Sequence, residues 1–233
     1  MWQLVVISGI VLTALYCLLI LLYLGWYVRL KPFLPPSGIT PQTSFSIIIP
    51  ARNEAGNIAE CIRSIAANDY PAAYEIIVVD DFSTDETPDI VRSLQATVPF
   101  LKLVQLKDVL KSPINSYKKK AITTAIDAAA YEWIITTDAD CTIPQNWLQL
   151  ADAFIQTVQP VFIAAPVVYR HTGSFLSAFQ CLDFLSLQGI TAASVSAGFH
   201  SMCNGANLAY SKTAFHAVDG FANADHIASG DDM

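Results

Sequence analysis

The chain opens on a charge-free run, LVVISGIVLTALYCLLILLYLGWYV, from Leu4 to Val28. In a helix, about 25 such residues cross a hydrocarbon core of roughly 30 Å with some tilt. No Lys or Arg precedes the run, and it is longer than the apolar core of a cleaved signal peptide. Trp26 and Tyr27 near its end suit an interfacial aromatic belt, and Arg29 and Lys31 beyond it favour the cytoplasmic side. The pattern predicts a single-pass transmembrane helix over residues 1–30, with the following domain cytoplasmic. Residues 31–44 contain PFLPPSGITPQTS, a Pro-rich stretch expected to act as an extended spacer.

The pattern then becomes regular. FSIIIP (45–50) reads as a strand buried on both faces. EAGNIAECIRSIAAN (54–68) sets Ile58, Cys61, Ile62 and Ile65 at helical spacing, and YEIIVVD (74–80) reads as a second buried strand. TDETPDIVRSLQAT (84–97) predicts a helix with acids in its first turn, where the helix dipole favours them. LKLVQL (101–106) alternates like a third strand, SYKKKAITTAIDAAA (116–130) is helical, and EWIITTD (132–138) is a fourth strand. PQNWLQLADAFIQ (144–156) predicts a helix with Pro at its start, and VFIAAPVVY (161–169) one more strand. Such alternation predicts an α/β domain over residues 45–233, with a mainly parallel sheet flanked by helices. Residues 174–197, SFLSAFQCLDFLSLQGITAASVSA, break the rhythm as a long, mostly apolar helical stretch whose one acid is Asp183. The expectation is a core helix; the alternative is a helix lying on the membrane surface.

Composition narrows the function classes. Of 233 residues, 14% are charged, against about 25% in an ordinary soluble domain, and the amino-terminal run explains much of the deficit. A net charge of −7 argues against nucleic acid as a partner, because that needs a basic footprint. Cys17, Cys61, Cys141, Cys181 and Cys203 form no C-x-x-C pair and read as reduced thiols; the four histidines have no zinc-ligand spacing.

The remaining acids are placed unevenly. Ligands of a parallel α/β sheet bind beyond the carboxyl ends of the strands. The first strand runs into PARNE, bringing Asn53 and Glu54 to that rim. The second runs into VDDFSTDET, with Asp80 and Asp81, and the fourth into TTDADCT, with Asp138 and Asp140. A single acid there is ordinarily a cap or turn former, as expected of Asp85. Three coincident sites on one edge call for a cation or hydrogen-bond donors to offset carboxylate repulsion. Mg2+ or Mn2+, held by one or two carboxylates and a substrate diphosphate, is the simplest account of Asp138 and Asp140. In an extended segment Ala139 would alternate with them, so that both acids point the same way.

Taken together, FSIIIPARNE, IIVVDDFSTDET, KKKAI, ITTDADC, NGANLAYSKTAFHAVDGF and SGDDM, in that order over residues 45–233, resemble family 2 glycosyltransferases of the GT-A fold. The style is that of membrane-attached bacterial enzymes related to cellulose and hyaluronan synthases. The resemblance implies inverting, metal-dependent transfer from a nucleotide-sugar such as a UDP-sugar to a glycan or lipid-linked acceptor, at the cytoplasmic face of a bacterial inner membrane. It implies that Pro50, Ala51, Asn53 and Glu54 line the nucleotide pocket, that Asp81 hydrogen-bonds the uracil edge, and that Lys118 lies near the nucleotide. Asp138 would contact the sugar-nucleotide and Asp140 would bind the metal. In CNGAN, Cys203 with Asn204, Gly205, Ala206 and Asn207 would flank the donor sugar and the acceptor entrance. Asp232 matches the general base, with Asp231 beside it.

Two features depart from the pattern. The sequence stops at Met233, directly after the matched base, where related synthases continue with a further helix, often a Q-x-x-R-W motif, and more membrane helices. The expectation is a domain incomplete at its C-terminus. VDGF (218–221) stands where two glycines are common, and Asp219 is expected to be a turn residue. Two other readings compete. DADCT also matches the D-x-D-x-T nucleophile loop of haloacid-dehalogenase-like phosphatases, although that loop ordinarily follows the first strand of its domain. The other is a membrane-tethered fragment that binds a sugar-nucleotide without turnover.

Overall fold

The computed structural model describes residues 2–109, 117–199 and 202–222. The chain forms two compact units, one made of residues up to Phe33 with Pro166–Cys203, the other of Leu34–Ala165 with residues from Asn204 onward.

In the first unit, α1 (Trp2–Tyr27) has no buried residue and is the one described helix long and apolar enough to cross a membrane.

The second unit holds the sheet. In chain order it contains β1 (Phe45–Ala51), α2 (Ile58–Ala66), β2 (Tyr74–Asp80), α3 (Thr87–Leu94), β3 (Leu101–Gln105), the single turn α4 (Leu106–Val109) and α5 (Tyr117–Ala128). Then come β4 (Trp133–Thr136), α6 (Trp147–Val158) and β5 (Phe162–Ala164). The chain passes through α7 (Phe175–Ser196) of the first unit and returns with a 3-10 turn (Gly205–Asn207), β6 (Leu208–Ser211) and α8 (Lys212–Ala217).

Sheet order is β3-β2-β1-β4-β6-β5. β1 pairs in parallel with β2 and β4, and β2 with β3, whereas β6 runs antiparallel between β4 and β5. The α/β class with a mainly parallel sheet flanked by helices is therefore what the strand–helix alternation predicted. Both faces of β1 are covered, which is why its run of Ile does not alternate with polar residues. Ile47 and Ile49 pack with Ile58, Ile62 and Ile65 of α2 and with Val91 and Leu148 from α3 and α6. Ile48 is equally buried, and α5 packs across β1 and β2 with Ala121, Ala125 and Ile126 buried. Each fully buried Ile contributes about 1.5–3 kcal/mol over exposure.

The end of the Pro-rich stretch is tied down. Gln42 and Thr43 donate their backbone N–H groups to the fully buried carboxylate of Asp152 in α6, and Tyr70 Oη donates to the Thr43 carbonyl at 2.5 Å. The core-helix expectation for residues 174–197 is corrected. Only Ser177, Ala193 and Ser194 of α7 are buried. An all-round apolar helix reads the same from sequence whether protein or lipid covers it.

Candidate active site

The parallel strands deliver their carboxyl ends to one edge, and the backbone locks those ends together. Asp81 N–H donates to the Ala51 carbonyl at 2.8 Å, and Thr137 N–H to the Ile48 carbonyl at 3.1 Å. The loop after β1 is stitched to the loop after β2. Asn53 N–H donates to Ser83 Oγ at 2.9 Å, Asn53 Oδ1 accepts from Thr84 N–H at 2.8 Å, and Glu54 N–H donates to Thr87 Oγ1 at 2.8 Å. Asp85 accepts from Thr87 N–H and from Ala55 N–H, so it closes the start of α3 as its position predicted. Asn53 and Phe82 both adopt the left-handed backbone region, at φ 57° and 54°. That is uncommon for Asn and strained for Phe, and such strain gathers where a fold positions functional groups.

Pro50 and Ala51 close β1, with Asn53 and Glu54 just beyond on the rim. Asp80, the last residue of β2, and Asp81, which follows it, are only 1% and 8% exposed, and each keeps one carboxylate oxygen, Oδ1, without a hydrogen-bond partner. Burial pushes the Asp81 carboxyl up, the Arg52 guanidinium at 3.7 Å pulls it down, and Asp80 pushes it up again; the net result lies above the ordinary value of 3.8. A buried acceptor with a spare oxygen suits a ligand N–H donor. Arg52, half-exposed above Asp81, is the basic residue of the rim loop PARNE, and its pairing with Asp81 comes from the fold.

Lys118 Nζ lies 3.2 Å from Asp138 Oδ1, so the first turn of α5 reaches the end of β4. The acid pair itself differs from the extended alternation expected. β4 stops at Thr136, and Cys141 N–H bonds the Asp138 carbonyl at 3.2 Å, making Asp138–Cys141 a turn. Ala139 is buried, Asp138 half-exposed and Asp140 exposed, so a turn rather than strand alternation presents the acids. Cys61 Sγ donates to the Asp138 carbonyl at 3.6 Å, and Cys141 Sγ to Asp140 Oδ1 at 3.9 Å. Burial is the largest push upward on both thiols; a hydrogen bond with Thr137 partly offsets it at Cys141, Asp138 and Asp140 add to it, and both thiols stay protonated.

Asn204–Asn207 joins this edge through β6. Thr136 Oγ1 donates to the Gly205 carbonyl at 2.9 Å, Asn204 Oδ1 accepts from Ala206 N–H at 2.9 Å, and Trp147 Nε1 donates to Asn207 Oδ1 at 3.0 Å. Cys203 falls in the other unit. Asp231 and Asp232 lie outside the described residues. Asp219 sits in a turn after α8 at φ 59°, the role its sequence context predicted. Among the described residues no three His, Cys, Asp or Glu side chains form a metal cage. A Mg2+ or Mn2+ site completed by substrate phosphates needs one or two protein carboxylates, and Asp138 and Asp140 are the two carried by this turn.

The arrangement has counterparts. A family model described as glycosyl transferase family 2 matches residues 46–216. Over 189 residues the chain is 26% identical to the glycosyltransferase AglE of Haloferax volcanii, covering 81% of this chain and 58% of that protein. Over 208 residues it is 25% identical to a poly-beta-1,6-N-acetyl-D-glucosamine synthase of Staphylococcus epidermidis, covering 87% of this chain and 48% of that protein. The mannosyltransferase PcManGT from Pyrobaculum calidifontis, solved in complex with GDP-Man and Mn2+, superposes with a TM-score of 0.66 at 26% identity. That match covers 91% of this chain and 58% of the mannosyltransferase. The chain thus spans about half the length of the curated relatives it matches.

Proposed function

This chain is a member of glycosyl transferase family 2, and we propose that it moves a sugar from a nucleoside-diphosphate donor, a UDP-sugar, to a glycan or lipid-linked acceptor with inversion. The observation that carries the reading is the buried Asp81, with an unpartnered oxygen, at the sheet edge that also bears Asp138 and Asp140. An ionised Asp81 accepts a hydrogen bond from a uracil N–H, and the interlocked loop from Pro50 through Ala51, Asn53 and Glu54 forms the wall of the nucleotide pocket.

Asp140, with Asp138 beside it, would hold Mg2+ or Mn2+. A divalent cation there supplies positive charge for the departing diphosphate. Lys118 adds a charge of its own next to Asp138. Asn204, Gly205, Ala206 and Asn207, fixed to Thr136 and Trp147, flank the donor sugar. Asp232, with Asp231 beside it, takes the acceptor hydroxyl proton as that oxygen bonds the anomeric carbon and the bond to the diphosphate breaks. Attack from the face opposite the leaving group inverts the centre.

The proposal places residues 1–30 across a bacterial inner membrane, residues 31–44 as the connection, and residues 45–233 as a catalytic domain on the cytoplasmic side. Its narrower form is a polymer synthase of the cellulose or hyaluronan kind; what bears on it is a likeness to another polymer synthase, that of poly-beta-1,6-N-acetyl-D-glucosamine. The phosphatase reading of DADCT finds no support, since the family model spans that loop and the strands before it. Asp232→Asn in the protein carrying this chain is expected to keep UDP binding and lose sugar transfer, measured as UDP release in membranes. Undiminished release would move the base elsewhere.

A further inference from the structure

The unit formed by α1 and Pro166–Cys203 leaves apolar surface uncovered. Ser177, Cys181, Phe184 and Gln188 of α7 recur at four- and three-residue spacing and face their own unit. Ser177 Oγ accepts from Thr172 N–H, Cys181 Sγ donates to the Tyr169 carbonyl, Phe184 stacks on Tyr169 at 4.3 Å between centroids, and Gln188 Oε1 accepts from Val167 N–H. Further along, Gly189 lies against α1, where an added Cβ would sit 3.8 Å from the Tyr27 ring. At 100° per residue, Phe175, Phe179 and Leu182 fall on the opposite side of α7, and they are 90%, 59% and 65% exposed. Exposed apolar side chains aligned along one helix face mark a docking surface rather than a solvated one.

We propose that this outer face of α7 seats in the headgroup–hydrocarbon boundary of an anionic lipid bilayer, as a second membrane contact alongside α1. Continuity selects lipid: α7 packs on a helix that is itself apolar all round and long enough to span. Charge selects an anionic surface. Arg29, Lys31 and Arg170 are the only Lys or Arg residues of this unit and Asp183 its only acid, although the chain as a whole carries −7. Depth follows from the polar residues beside the face. Gln180, Asp183 and Ser186 interrupt α7, which suits a helix lying in the interface and not one crossing the core.

The test uses the full chain reconstituted in vesicles of phosphatidylcholine and phosphatidylglycerol, with p-benzoylphenylalanine in place of Phe179 or Leu182. Both positions are exposed, so the probe displaces no packed neighbour. Irradiation is expected to yield a phospholipid adduct at both positions, as at Leu12 of α1, and none at the exposed Gln95. A crosslink to a second copy of the chain, or no lipid adduct at either position while Leu12 labels, overturns the proposal.

Discussion

The two edges of one sheet treat buried acids in opposite ways. At the amino edge, Glu75 is 4% exposed, and both of its carboxylate oxygens are engaged. Ser46 Oγ donates at 2.6 Å, Ala130 N–H at 2.6 Å, and Lys102 Nζ sits at 2.5 Å. Burial alone would raise its pKa, but the hydrogen bonds from Lys102, Ser46 and Ala130 outweigh it and hold the carboxyl below its ordinary 4.5. At the carboxyl edge, Asp80 and Asp81 are as deeply placed yet keep unpartnered oxygens, and Asp81 is held above its ordinary value. A satisfied buried acid serves the fold; an unsatisfied one is poised for something the fold does not supply.

The largest break in this comparison is Asp140→Ala. It is expected to abolish Mn2+-dependent UDP binding in calorimetry while the thermal unfolding midpoint holds, because Asp140 is exposed. Unchanged binding would remove Asp140 as the metal ligand. Next comes Glu75→Ala, which strands Ser46, Ala130 and Lys102. A loss of about 2–4 kcal/mol in urea unfolding is expected, with UDP affinity of the folded fraction unaltered. A smaller effect of the opposite sign is expected of Asp81→Asn. It relieves a desolvated charge, adding about 1 kcal/mol of stability, and weakens UDP binding; a variant that is less stable and binds equally well would refute the assignment.

The pH dependences separate the edges most finely. Glu75, with a depressed folded pKa, contributes stability above its unfolded value and loses it as pH falls through the folded one. Asp81, with a raised folded pKa, favours folding below 3.8 and loses that contribution as pH rises through its higher folded value. In the proposed site, nucleotide binding needs Asp81 ionised. Affinity is therefore expected to fall on acidification at a pH above 3.8, and this limb should shrink in Asp81→Asn titrations.

Legibility in the sequence followed how local each cause was. β2 was read to its last residue, and β1 nearly so, because uninterrupted Ile and Val runs ending at Pro50 and Asp80 leave little choice. β6 was missed: LAYS is four residues long and gains its strand identity only by pairing with β4 and β5. The rim acids Asp81, Asp138 and Asp140 were legible because strand ends in a parallel sheet share an edge. Glu75 carries no such signal, since its partners come from positions 27 to 55 residues away.

From sequence alone came the apolar span, the order of strands β1 to β5, and the acids that gather at one rim, all of them set by short-range periodicity and by chain order. Tertiary structure alone decided three further things. It set which buried acid is satisfied, because hydrogen-bond partners arrive from distant strands. It replaced an extended Asp138–Asp140 segment with a turn, because β4 stops pairing at Thr136. It left most of α7 unburied, because an all-round apolar helix states that it must be covered and not what covers it.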